Sequence, residues 1–108
     1  ISLINKLLVV QTSGTTSIVT MKRIELFKVA LEHCEKLSQK FPDLEVTSSI
    51  RNQLKYLISC ESTSDIDKSK LESIIIGVQT AREIEPLDLE TSEIFYQVAN
   101  EVRIMLSE

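Results

Sequence analysis

His33, Cys34 and Cys60 are the side chains in this sequence whose types best suit nucleophilic or metal chemistry. A nucleophilic thiol needs a base within hydrogen-bond reach and a third group that orients the base. His33 and Cys34 are neighbours in a run that reads as helix, and adjacent helical side chains point in different directions. That leaves a His33–Cys60 dyad across a bundle, with no evident orienting group and no glycine-lined oxyanion loop. Two thiols without C-x-x-C spacing make neither a zinc site nor a redox motif. Free buried thiols in a reducing cytosol are the default reading, and a disulfide between two helices is the alternative.

Carboxylates are plentiful, and a helical bundle can hold two metals when inward glutamates combine with two Glu-x-x-His pairs. One histidine cannot supply two such pairs, and Ala30 stands where His33 would need its glutamate. The sequence has no phosphate-cradling glycine loop, no G-x-S-x-G elbow and no dinucleotide fingerprint. With no tryptophan and 5% aromatic residues, nothing marks a cofactor box. The expectation is a protein without catalytic activity, cofactor or metal.

Binding is the remaining class of function. The chain carries a net charge of −4 with a pI near 5.0, which argues against a nucleic-acid partner. No apolar run is long enough for a membrane helix. The charge is uneven: residues 1–82 balance at +2, whereas residues 83–108 set seven carboxylates against Arg103 alone, a balance of −6. Glu83, Glu85, Asp88 and Glu90 lead that acidic stretch. It is either a solvated face or a surface that steers a basic partner. A second cluster, Arg51, Asn52, Gln53, Lys55 and Tyr56, is either solvated or a set of interface anchors.

The elements that must position these residues are helices. Hydrophobic residues make up 43% of 108 residues, and two glycines and two prolines leave little material for hairpin turns. The period-3.6 pattern predicts four amphipathic helices in one antiparallel up-and-down bundle. The first spans about Lys22–Lys40, with Ile24, Phe27, Ala30, Leu31, Cys34, Leu37 and Phe41 inward, and Pro42 stops it. The second, Leu44–Cys60, turns Leu54, Leu57 and Ile58 inward and takes Asp43 or Thr47 as its cap. The third, Asp67–Ile84, is capped by Asp67 and buries Leu71, Ile74, Ile75 and Val78. Second and third should close as the central hairpin. Gly77, about 1 kcal/mol worse than alanine inside a helix, marks a close approach by a neighbour. Pro86 ends the third helix, and Asp88 caps a fourth running from Leu89 to about Leu106, with Ile94, Phe95, Val98, Val102, Met105 and Leu106 buried.

Residues 1–20 differ in character. Their apolar run is interrupted by Lys6 and lacks the basic lead of a secretory signal. They read as an extension that precedes a natural start at Met21, forming a short helix over residues 2–10 or, as the alternative, an extended strand packed on the bundle. Residues 21–108 then form the single helical domain.

Pro42, Glu45-Val46, Ser49, Gln53-Leu54-Lys55-Tyr56-Leu57, Asp67-Lys68-Ser69-Lys70-Leu71, Gly77, Ala81 and Glu83 follow one another at particular spacings. This pattern resembles the small all-helical immunity proteins of bacterial type VI secretion that neutralise NAD(P)-hydrolysing toxins. The resemblance covers about Ile24 to Phe95, and Leu89 stands where the pattern has a proline. It implies a cytoplasmic antitoxin in interbacterial competition, which binds a cognate toxin domain and covers its active site without transforming anything itself. Under that reading the first partner-binding residues are Glu83, Glu85, Asp88 and Glu90, and the second are Gln53 and Tyr56. A helical adaptor or oligomerisation module is the alternative, as is immunity to a contact-dependent inhibition toxin of another activity. The oligomeric state stays open.

Overall fold

In the computed structural model, which describes residues 22–63 and 67–108, every regular element is helical. Residues 1–20, with the helix expected over 2–10, lie outside the described residues. Helix α1 spans Arg23–Lys40, where the Glu25 carboxylate accepts the Lys22 N–H at 3.2 Å and satisfies one orphan donor of the first turn. Phe41, ahead of Pro42, leaves the helical region at φ −129° and ψ 75°, as the steric demand of the proline ring requires. Helix α2 spans Val46–Ser62. Neither Asp43 nor Thr47 caps it: the N-cap is Glu45, without a side-chain bond, and the Thr47 hydroxyl donates to the Leu44 carbonyl at 2.8 Å.

The third leg differs most from expectation. Instead of one helix over Asp67–Ile84, it has a 3₁₀ stretch, Lys68–Ser73, then a break at Ile74–Ile75. A short helix α3, Ile76–Gln79, follows and passes into a π turn at Thr80–Ile84. Asp67 does cap, but it caps the 3₁₀ stretch: its carboxylate accepts from the Ser69 N–H at 2.9 Å and from the Ser69 hydroxyl at 3.0 Å. Helix α4 spans Leu89–Ser107 and starts as expected, with Asp88 accepting from the Thr91 N–H at 3.0 Å.

The central hairpin is α1 with α2, not the second and third legs, whose mutual contact is slight. Cys34 Sγ donates to the Thr47 carbonyl at 3.3 Å, and Arg51 reaches Glu35 at 2.8 Å. At the other end Arg23 on α1 meets Glu61 on α2 and Glu101 on α4. These pairings run α1 antiparallel to both of its long neighbours. The third leg lies against α4 and, more lightly, against α2.

Phe27 and Phe95 are fully buried at the centre with Ile50, Leu54, Leu57, Ile76, Ile84, Ile94 and Val98. Removing either phenylalanine side chain costs about 3–5 kcal/mol on general grounds. The predicted stripes of α1 and α4 hold, apart from Leu106, which is exposed, and Ile24, Leu31 and Phe41, which are half-buried. In the third leg Ile76, Thr80 and Ile84 are buried, whereas Ile75 and Val78 face out. Gly77 sits where a neighbour approaches: a Cβ there would lie 3.3 Å from the Ala99 Cβ of α4.

Candidate protein-binding site

Two regions gather the residues singled out by the sequence. On the α2 side, Gln53 is half-buried, and the fold occupies its whole carboxamide. Its Oε1 accepts the Ile75 N–H at 2.8 Å, and its Nε2 lies 2.7 Å from Gln79 Oε1 and 3.1 Å from Ser49 Oγ. Gln79 in turn donates to Ser49 Oγ at 3.0 Å. Tyr56, one turn along α2, donates its hydroxyl to the Asp67 carbonyl at 2.7 Å. Burial, reinforced by the nearby Cys60 thiol, pushes the Tyr56 phenol up to about 12, so it stays a donor at any physiological pH. Between α2 and the 3₁₀ stretch these residues line an open groove of about 250 Å³ with Asn52, Lys70, Ser73 and Ile74.

The acidic link lies at the end of the molecule where α1 turns into α2. Glu83 and Glu90 are exposed. Glu85 accepts the Tyr96 hydroxyl at 2.5 Å, and that bond pushes the Tyr96 phenol up to about 12. Asp88 is half-buried and committed to the cap of α4. Asp88 and Glu90 border a groove of about 180 Å³ opposite His33, Lys36 and Lys40 of α1. Leu87 and Leu89 flank the capping aspartate and are 42% and 61% exposed, which sets apolar surface among the carboxylates.

The structure brings His33 to Thr91, 3.4 Å from Nδ1 to Oγ1. Both cysteines are buried free thiols. Burial pushes the Cys34 thiol up to about 11, which suppresses the thiolate a nucleophile would need. Among the described residues no group of three or more His, Cys, Asp or Glu could hold a metal ion. None of the described helices is long and apolar enough to cross a membrane.

The sequence reading missed the outward pair Ile75 and Val78. A signal was present: Ile74, Ile75 and Ile76 in succession sweep about 200° of a helix, wider than one buried stripe. At least one of the three had to leave the core or the helix had to break.

Residues 22–103 match the model of the Tsi6 family. The chain belongs to the Tsi6 family. Tsi6 is an immunity family of type VI secretion, and membership implies a toxin protein as partner. The Tsi6 match takes in α1, α2, the broken third leg and most of α4, and so includes both grooves and the whole acidic link. No curated protein and no solved structure matches the chain significantly.

Proposed function

We propose that this chain is the immunity partner of one antibacterial toxin domain, which it binds in the cytoplasm and inactivates by covering the active site. The observation that carries the reading is membership of the Tsi6 family over residues 22–103. An NAD(P) glycohydrolase is the target class. A site for the phosphates of NAD(P) is commonly electropositive, and the acidic link of residues 83–90 complements such a cleft. Glu83, Glu85 and Glu90 supply the field there, and Leu87 and Leu89 supply apolar contact between them. Asp88 contributes charge while holding the start of α4. Tyr56 is the second contact, and Gln53, one turn before it on α2, lines the same groove. Residues 21–108 form the immunity domain, and the protein acts by shape and charge without turning over a substrate.

The test is co-expression with the protein encoded by the adjoining reading frame, scoring survival and cellular NAD(P). Protection with a preserved NAD(P) pool supports the proposal in full. Protection from a toxin that leaves NAD(P) untouched retains the immunity function and overturns the target class. Cells that die regardless overturn both.

A further inference from the structure

The break in the third leg turns two β-branched apolar residues to solvent. One continuous helix over residues 67–84 would place Ile75 and Val78 on the stripe that buries Leu71 and Ile74. In the structure Ile75 is 50% and Val78 56% exposed, while Ile76 is fully buried. Gln53, on another helix, fixes this arrangement. It accepts the Ile75 N–H at the break and reaches Gln79 at the end of α3, so both ends of the short helix are tied to α2. Gly77 lets the same turn press against Ala99 of α4, which leaves its opposite side outward. Ile75 directly follows Ile74, which lines the groove with Tyr56, Lys70 and Asn52. Lys55 and Lys68 are also exposed on these segments, as are Asp67 and Glu72, while Lys70 is the charged residue of the groove lining.

We propose that Ile75 and Val78 are apolar anchors for the cognate toxin, and that Gln53 is the positioning residue that keeps them outward. The toxin segment received here is apolar and carries a carboxylate that pairs with Lys70. This assignment rests on the immunity reading and adds a second contact of opposite polarity to the acidic link. Charge complementarity selects the occupant. A second copy docked through the same groove would offer Lys70 no carboxylate from the groove lining, because a two-fold interface pairs one patch with its own image. An acidic, apolar partner satisfies both the outward pair and Lys70.

The experiment measures binding of the full chain to the purified toxin domain encoded by the adjoining reading frame, by calorimetry and sedimentation. Ile75→Asp and Val78→Asp replace exposed side chains and should leave the melting temperature near that of the wild type. Each should weaken binding by about thirtyfold or more, the size of a central anchor. Lys70→Glu should weaken it further at low salt than at high salt. Gln53→Ala should weaken binding while raising the helical far-ultraviolet signal, as the two halves of the leg rejoin. Gln53→Glu keeps an acceptor for the Ile75 N–H and should restore most of the affinity. Leu106→Asp, at a comparably exposed position on α4, should bind as the wild type does. If the Ile75 and Val78 variants bind the toxin like the wild type, the anchor assignment is overturned and the immunity reading stands. A wild-type dimer that Val78→Asp dissolves, with toxin binding unchanged, overturns it in favour of a second copy. A wild-type chain that neither binds nor protects overturns the immunity reading and this assignment together.

Discussion

Gly77 on α3 and Ala99 on α4 meet so closely that a β-carbon on the glycine would stand 3.3 Å from the alanine methyl. A single methyl needs a shift of only a few tenths of an ångström, and alanine recovers up to about 1 kcal/mol of helix propensity. Gly77→Ala should therefore change stability by less than about 1 kcal/mol in either direction. Gly77→Val adds two further methyl groups beside the Ala99 methyl and should cost about 2 kcal/mol or more. Urea midpoints of the two variants, read at unchanged slope, decide the matter.

Arg23 draws together Glu101 at 2.9 Å, Glu108 at 2.8 Å and Glu61 at 3.5 Å, which ties the start of α1 to the ends of α2 and α4. Partly exposed pairs are individually weak, so Arg23→Met should cost on the order of 1 kcal/mol, and less at high salt. Its hydrogen bond to Arg23 holds the Glu108 carboxyl below the ordinary glutamate value of 4.5. A lowered carboxyl stabilises the fold above that value and stops doing so as pH falls through the lowered one. The difference between wild type and Arg23→Met should thus persist from neutral pH down to the ordinary glutamate value and shrink as pH falls below it. An equal difference across that range would remove the carboxylates from the account.

Cys34 is fully buried, and its thiol is raised to about 11. It should stay unmodified by a thiol reagent in the native protein at mildly alkaline pH and react once urea unfolds the chain. Rapid native labelling at Cys34, mapped by mass spectrometry, would contradict the burial described for α1.

Thr80 is fully buried in the π turn, and its hydroxyl has no hydrogen-bond partner among the described residues. An unpaired buried hydroxyl costs about 1–3 kcal/mol. Thr80→Val keeps the shape and the β-branch while removing that group. It should leave stability unchanged or raise it by about 1 kcal/mol, measured as a shift in the thermal midpoint.

Reversing Glu83, Glu85 and Glu90 to lysine together should weaken toxin binding and make the remaining affinity less sensitive to salt. Asp88 is kept out of this set because losing the α4 cap alone costs about 1 kcal/mol of fold stability. Unaltered affinity and unaltered salt dependence would rule out the link as a principal contact.

Local rules carried the parts of this fold that are local. Pro42 stops α1 and Asp88 caps α4 within three residues, both readable from nearest neighbours, whereas Gly77 signals a close approach without identifying Ala99 as the neighbour. The break at Ile74–Ile75 was not legible, because the side chain that stabilises it belongs to Gln53, 22 residues earlier. Propensity and period alone favour a continuous helix there, and tertiary contact overrides them. The choice of central hairpin failed for a related reason. The apolar faces of Leu54 and Leu71 suit more than one partner helix, and period alone does not say which of them α2 packs against. The acidic residues were readable as a group but not in their separate duties. Nothing in the sequence distinguishes Glu83, which is exposed, from Glu85, which is bonded to Tyr96.

The Arg23 cluster also bears on the order in which the chain acquires its shape. Helices α1 and α2 are consecutive and meet early by loop closure, but Arg23 finds Glu101 and Glu108 only across separations of 78 and 85 residues. The broken third leg leans on α4 as well as on α2 and settles when both supports stand. A chain leaving the ribosome therefore completes this arrangement only after α4 has emerged, whatever the state of its earlier hairpin.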